Sequence, residues 1–494
     1  MTLGGRIAMV TGGASGIGEA IATLFASQSA DVVVADVDSA KGEEVAGRIR
    51  DTGGRARFVE VNVADDDAVG AAVDAVVAEF GALDVMINNA GINGQTATDE
   101  KGWWRLLSVN LLGVAWGTRH AVRVMRQAGG GVVLNTGSHA GQRGHRTQVY
   151  GASKAAVHTL TRYTALRYGP DNIRANAIVP GNIYTGIYDM GKQHAIARYV
   201  DGNEPLQTGL SGPPPDDGGE GSLVEEFARL HPMGRRAEVS HIAAAAAYLA
   251  SDEAEVVTGN EFLVTGGILG PVRERRLLRS CSPPTRPEAV PSAQGSIALL
   301  TKTRSLGAAI AGCFATRGVD VVVPDDNVLD DEDRLCRWVR EVRGLAGLVY
   351  AVAPDSGGDL LSQAPSVWRE QLNDNFRVPW ALAHTVAHVL PPGGSVTLVA
   401  DAAGLTGEIA SPAFCAAAGA LIYATDDLAD ALRPLGIRLN TVVSELTSTP
   451  PNRPTLGAPA SADDVGEVVY TLSRGVMAIT GAQISLETSH PGDE

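Results

Sequence analysis

Cysteine is scarce in this chain and shows no pairing pattern. Its 494 residues hold four, Cys281, Cys313, Cys336 and Cys415, with no C-x-x-C spacing among them. That argues against a metal knuckle or a disulfide framework and leaves the four as buried or surface thiols. Positive charge is also short, with 40 Lys and Arg against 56 Asp and Glu and a net charge of −16. Such a balance argues against a nucleic acid or an anionic membrane as partner, and no basic stripe interleaved with aromatics offsets it. The longest run of apolar and small residues, around Ala413–Ala424, is too short to span a bilayer. The opening MTLGGRIAMVTGG has no basic segment followed by a sustained apolar one, so no secretory signal is expected. These gaps lead to the expectation of a soluble, cytoplasmic protein with no metal.

What is present is ordinary globular composition, 45% hydrophobic and 19% charged, in a chain too long for one core. The 58 glycines have no period and imply many turns and close backbone approaches. Self-similarity is the strongest signal. RIAMVTGGASGIGEAIATLFASQSADVVVADVD (Arg6–Asp38) aligns with SIALLTKTRSLGAAIAGCFATRGVDVVVPDDN (Ser296–Asn327), allowing one gap. LDVMINNAG answers to AGLVYAVAP, WWRLLSVNLLGVAW to VWREQLNDNFRVPW, and GGGVVLNTGSHAGQRG to PGGSVTLVADAAGLTG. IRANAIVPGNIYT then answers to IRLNTVVSELTST, and VVTGNEFLVTGG to AITGAQISLETS. Six matches in one order indicate a tandem duplication. Apolar strands alternating with amphipathic helices predict βαβ units and parallel sheets. The Pro-, Arg- and Ser-rich stretch 271–294 reads as a linker between domains 1–270 and 295–494.

In the first half VTGGASGIG follows a predicted strand and opens a predicted helix, with Gly12, Gly16 and Gly18 in a G-x-x-x-G-x-G pattern. Glycines there permit a tight turn and let a diphosphate approach the free N–H groups of the helix start. Asp36, at the end of the next predicted strand, is placed to bind ribose hydroxyls and to repel a 2′-phosphate. The turn contains no Arg or Lys, so NAD is preferred over NADP.

With these motifs and those that follow them in order, residues 1–270 resemble the short-chain dehydrogenase/reductase family. The further motifs are Asn62-Val63, the NNAG of Asn88–Gly91, Asn110, Ser138, the Y-x-x-x-K of Tyr150 and Lys154, and PGNIYT at Pro180–Thr185. The resemblance implies two tandem Rossmann-like doubly wound α/β domains, the second truncated. It implies an NAD-dependent enzyme that interconverts a small secondary alcohol and a ketone. A phenol titrates at about 10, and Lys154 one helical turn on, together with the positive nicotinamide ring of the oxidised cofactor, is expected to favour the phenolate of Tyr150 and lower its pKa. Tyr150 would take the alcohol proton as hydride leaves, or return it during carbonyl reduction. The family pattern further implies that Ser138 bonds the substrate oxygen, Lys154 holds the nicotinamide ribose and Asn110 anchors a water in the proton relay. It places Asn62 and Val63 beside adenine and Ile183 and Thr185 at the carboxamide. Ser15, Ile17, Asn89, Ala90, Gly91, Pro180 and Gly181 complete the implied cofactor contacts.

His139, Arg143 and His145 follow Ser138 in a pocket-lining region, and they read equally as substrate-binding groups or as loop surface. Ser138 precedes Tyr150 by twelve positions, one fewer than in many family members, so a tightened loop is expected. The long segment from Gly186 to His231, with the Pro/Gly-rich stretch 209–221, is expected to form a lid.

The second half has lost this chemistry. Its glycine turn reads TKTRSLG, and Phe414 and Ala418 stand opposite Tyr150 and Lys154. Asp401 or Ala402 stands opposite Ser138, while Asn375 still matches Asn110. Asp36 and Asn88 lie 52 positions apart but Asp325 and Ala351 only 26, which predicts the loss of one helix and one strand. The lid is gone too: 55 positions separate Gly181 from Arg236, against 18 from Glu445 to Asp463. Two readings of this half stay open. It is a structural pseudo-subunit, making the homodimer a pseudo-tetramer, or a regulatory module with Lys302 and Arg304 as an anion site. A cofactor-sensing or scaffold protein with no turnover is the rival for the whole chain.

Overall fold

The computed structural model describes residues 2–92, 100–142, 148–181, 183, 237–266, 294–329, 331–352, 357–407, 411–444, 461–473 and 483–485. The chain forms two compact units, Met1–Ser280 with Leu360–Ser362, and Cys281–Asp359 with Gln363–Glu494. Residues 271–293, read as the linker, lie outside the described residues.

The first unit is a seven-stranded parallel sheet. Its strands are β1 (Ile7–Thr11), β2 (Asp31–Asp36), β3 (Arg55–Glu60), β4 (Val85–Asn88), β5 (Gly131–Thr136), β6 (Ile173–Pro180) and β7 (Glu261–Val264). They lie in the order β3-β2-β1-β4-β5-β6-β7. Helices cover both faces of a parallel sheet, so its central strands read as continuous apolar runs, and IAMVT of β1 is buried at every position. At the edge, RARFVE of β3 has no fully buried residue. The helix Gly16–Ser27 packs Ile21, Ala22 and Phe25 against this sheet and against the helix Val239–Ala250.

The second unit repeats the plan in six parallel strands: β8 (Ser296–Thr301), β9 (Val321–Val322), β10 (Leu345–Ala351), β11 (Ser395–Asp401), β12 (Arg438–Ser444) and β13 (Gln483–Ser485). Their order, read from the short edge, is β9-β8-β10-β11-β12-β13. That is the first sheet without the counterpart of β3, as the shortened spacing between Asp325 and Ala351 predicts. Ile310 and Phe314 of the helix Arg304–Ala315 are fully buried, like Ile21 and Phe25.

Two local features recur. A π-helical turn interrupts a long helix in each unit, at Ser108–Leu112 around Asn110 and at Asn373–Arg377 around Asn375. Such turns insert one residue into the helical ladder and re-aim the side chains beside it. The second feature is a glycine under a long helix. A Cβ on Gly141 would come within 2.6 Å of Ala155 N and 2.7 Å of Lys154 C; one on Gly404 would come within 2.6 Å of both Ala418 C and Gly419 N. The sequence alignment sets Lys154 opposite Ala418, and the two glycines meet their helices at these same positions. Ser138 and Asp401 also act alike, each side chain accepting from the backbone N–H two residues on, Ala140 at 3.2 Å and Ala403 at 2.8 Å.

The helix Pro412–Leu432 is buried at every residue from Ser411 to Thr425. Among the described residues no helix is long and apolar enough to cross a membrane. Replacing Gly404 by valine should force backbone apart and destabilise the second unit by about 1–3 kcal/mol. The shift in the chemical-denaturation midpoint checks this.

Candidate active site

The site begins where β1 ends. Gly12 and Gly16 have φ of +65° and +58°, a region that L side chains rarely adopt. Space is equally limiting, since a Cβ on Gly12 would lie 2.8 Å from Ala90 Cα and one on Gly18 only 2.1 Å from Gly12 O. Ser15 caps the following helix in an extended conformation without a side-chain cap bond, so the first-turn N–H groups face the turn as anion donors. Thr11 ties the turn to the NNAG segment: its Oγ accepts from Asn89 N at 3.0 Å and Ala90 N at 3.2 Å and donates to Ile87 O at 3.2 Å. Asn89 Nδ2 donates back to Thr11 O and Gly12 O at 3.2 and 3.3 Å. Asp36 braces the turn from β2, accepting from Ala14 N and Asp38 N, both at 3.1 Å.

The acid/base candidates come from β5 and the helix Gln148–Tyr168. The Ser138 hydroxyl acts on the Tyr150 phenol and favours its ionised form. Lys154 Nζ lies 5.9 Å from the Tyr150 ring centroid and donates to Thr136 O at 2.9 Å. Both groups are driven toward neutrality. Burial raises the Tyr150 phenol above its usual value, with Ser138 pulling the other way. Burial lowers the Lys154 ammonium to about 8. In the chain alone, desolvation of the phenolate outweighs the Ser138 contribution, whereas the expected lowering of Tyr150 rests on Lys154 together with the positive nicotinamide ring of the oxidised cofactor. The Asn110 side chain is bonded to backbone. Its Oδ1 accepts from Ile92 N at 2.8 Å and its Nδ2 donates to Ile92 O at 2.9 Å, so the side chain clamps the loop after Gly91.

These elements enclose a cleft of about 650 Å³. Of the residues expected from sequence, Gly12, Ser15, Gly16, Ile17, Asp36, Asn62, Val63, Asn89, Ala90, Gly91, Ser138, Tyr150, Lys154, Pro180, Gly181 and Ile183 line it. Gly18 and Asn110 shape it from behind. Thr185, Arg143, His145 and the expected lid lie outside the described residues. His139 is buried, its Nδ1 3.2 Å from Pro180 O. The sequence reading missed Arg105, Ser108 and Val109, which also line the cleft. Their i, i+3, i+4 spacing on the helix leading to Asn110 was the available signal. It missed Thr11 and Thr136 as well, whose roles arise from contacts with distant segments.

The cleft fits a dinucleotide: a glycine cradle too tight for side chains, helix N–H groups for the diphosphate and a carboxylate for the ribose. A family model described as short chain dehydrogenase matches residues 6–194. A cis-4-hydroxycyclohexanecarboxylate dehydrogenase from Sinomonas cyclohexanicum is 40% identical over 53% of this chain and 96% of its own length. The chain belongs to the short-chain dehydrogenase family. It is therefore an oxidoreductase of alcohols and carbonyls that works with NAD or NADP. A cyclohexanol dehydrogenase from Acinetobacter sp. (strain SE19) is 34% identical over 53% of the chain and 94% of its own length. A 3beta-hydroxysteroid dehydrogenase 2 from Eggerthella lenta is 35% identical over 54% of the chain and 95% of its own length. A second family model, described as enoyl-(acyl carrier protein) reductase, matches residues 204–269 and 333–484, reaching into the second unit.

Asn110→Leu should leave Ile92 N–H and C=O without their partners, costing about 1–3 kcal/mol of stability and weakening NADH binding in a fluorescence titration. Lys154 titrates near 8 in the folded chain against 10.5 unfolded, so the folded state binds fewer protons between those values. Stability relative to Lys154→Met should therefore rise from pH 8 to 10.5, by up to about 1.4 kcal/mol per pH unit. Unfolding titrations of both proteins across that range check the sign.

Proposed function

We propose that the first unit is an NAD(H)-dependent dehydrogenase of secondary alcohols carried on a saturated ring. The observation that carries this reading is the convergence of Ser138, Tyr150 and Lys154, whose Nζ lies 5.9 Å from the Tyr150 ring centroid, on one cleft that also contains the Asp36 carboxylate. In the oxidative direction Ser138 donates to the substrate oxygen, and Tyr150 Oη removes the hydroxyl proton. The bound nicotinamide supplies the hydride acceptor, or the donor in reverse. Lys154 stabilises the phenolate that accepts this proton and would hold the ribose. The π-helical turn at Asn110 sets the loop around Gly91, which would hold the cofactor. Asp36, with no Arg or Lys in the glycine turn, favours ribose hydroxyls over a 2′-phosphate. The ring preference rests on the relatives: a hydroxycyclohexanecarboxylate, cyclohexanol and a 3β-hydroxysteroid all carry the alcohol on a saturated ring.

We read the second unit, residues 295–494 beyond a 271–294 linker, as a duplicated and non-catalytic copy serving as a structural pseudo-subunit. Support comes from the repeated strand order, the repeated π-helical turn, and Gly404 under Ala418 where Gly141 lies under Lys154. Phe414 and Ala418 are fully buried and carry no acid or base. Lys302 is paired with Asp374 at 2.8 Å, which favours a structural over an anion-binding role. The corresponding assembly is a homodimer of chains, whose mass light scattering would report as twice 51.2 kDa.

A panel of cyclic and open-chain secondary alcohols, followed by NADH absorbance, tests the activity. Turnover should be at least about tenfold faster on ring alcohols. It should fall at least about a thousandfold in Tyr150→Phe. Asp36→Ala should cut the preference for NAD over NADP by about tenfold or more. No wild-type turnover on the panel would favour a cofactor-sensing or scaffold role.

A further inference from the structure

Behind Ser138 lies a buried group that the mechanism above does not use. His158 is on the helix Gln148–Tyr168, one turn beyond Lys154, and is 2% exposed. Its two ring nitrogens have different neighbours. Nε2 is 3.4 Å from the backbone N of Ser138, and Nδ1 is 3.3 Å from Glu261 Oε2 on β7. A backbone N–H can only donate, so Nε2 must present its lone pair to Ser138. The single proton of a neutral imidazole then sits on Nδ1 and points at the carboxylate. Glu261 is itself fixed by Gln142 Nε2 at 2.6 Å and by Arg162, one turn along from His158. The chain makes room for the ring: a Cβ on Gly137 would lie 2.3 Å from His158 Nε2.

We propose that His158, oriented as the Nδ1–H tautomer by Glu261, is a positioning residue that holds the Ser138 backbone and thereby aims the Ser138 hydroxyl at Tyr150 and the substrate oxygen. The proposal rests on the reading of Ser138 as the substrate-binding hydroxyl. Ser138 also accepts from Ala140 N through its Oγ, so one residue is held at both its main chain and its side chain. The charges facing His158 are Glu261 from β7 and Arg162 and Lys154 from its own helix. Burial foremost, with the two cations, outweighs Glu261 and lowers the imidazole to about 4. Burial would raise Glu261, but His158, Gln142 and Arg162 prevail and leave it below its ordinary value. At neutral pH the ring is therefore uncharged and its carboxylate partner ionised, as the tautomer assignment requires.

The test compares His158→Leu with His158→Gln, whose amide oxygen can take the place of Nε2. His158→Leu should lower kcat on a ring alcohol by roughly 10- to 100-fold while NADH affinity stays unchanged. His158→Gln should recover most of that loss. Equal kcat in wild type and His158→Leu would overturn the proposal. Nitrogen NMR of 15N-histidine-labelled wild-type protein at pH 7 decides the point without turnover and without either variant folding. The proton is expected on Nδ1 of His158, and a proton on Nε2 would refute the assignment. A wild-type protein inactive on every alcohol but carrying the Nδ1 proton would sink the enzymatic reading and leave the positioning of Ser138 standing.

Discussion

A parallel sheet delivers the carboxyl ends of all its strands to one edge, and the candidate site exists because of that constraint. Connections between parallel neighbours must cross over through helices, so both faces are covered and the open edge is where strand-end residues meet. Thr11 at the end of β1, Asp36 at the end of β2, Asn89 after β4 and Ser138 after β5 are distant in sequence. The strand order β3-β2-β1-β4-β5-β6-β7 brings Asp36, Asn89 and Ser138 to one cleft, with Thr11 bonded to Asn89 beside it. The cross-links then use the short polar side chains at those ends. Thr11, Asn89 and Thr136 bond to one another or to adjoining backbone, and the Asp36 carboxylate braces the glycine turn beside them.

Under the proposed duplication, the second unit separates what the fold needs from what the chemistry needs. Ile310, Phe314, Gly404 and the π-helical turn at Asn375 keep their places because each fills or vacates a volume that the packing fixes. Close packing makes such positions sensitive to a single methylene, whereas a phenol or ammonium facing a cleft can be replaced without opening a void. Phe414 for Tyr150 keeps the ring and loses only the hydroxyl. Ala418 for Lys154 removes a cation whose burial was itself unfavourable. Even Asp401 for Ser138 retains the local cap to the backbone two residues on.

Much of this was legible in the chain because it is written in local patterns. Alternating strands and helices, six ordered matches and the halved spacing between Asp325 and Ala351 anticipated two parallel sheets and the missing counterpart of β3. The glycine turn was legible because it obeys a backbone rule, with Gly12 and Gly16 at positive φ and Gly18 against Gly12 O. What escaped depends on tertiary neighbours. Thr11 and Thr136 are unremarkable strand residues until Asn89 arrives from another βα unit. His158 reads as one more residue on a helix until β7 brings Glu261 beside it. The depth at which Tyr150 is buried escaped for the same reason, since one-turn spacing reports the proximity of Lys154 but not how completely water is excluded.

That exclusion sets the electrostatic problem the site must solve. Burial disfavours both the phenolate of Tyr150 and the ammonium of Lys154, so an ion pair in this cleft needs fixed dipoles to offset the loss of water. Two are in place: the Ser138 hydroxyl toward Tyr150 and the Thr136 carbonyl, which accepts from Lys154. A dipole helps only if it cannot rotate away. A cationic group behind Ser138 would also push the Lys154 ammonium toward neutrality, since Lys154 and His158 each disfavour the other's charge. An uncharged imidazole backed by a carboxylate avoids that repulsion while still accepting the Ser138 N–H. The choice of histidine, kept neutral, then follows from the need to hold a serine firmly beside a lysine that must carry charge.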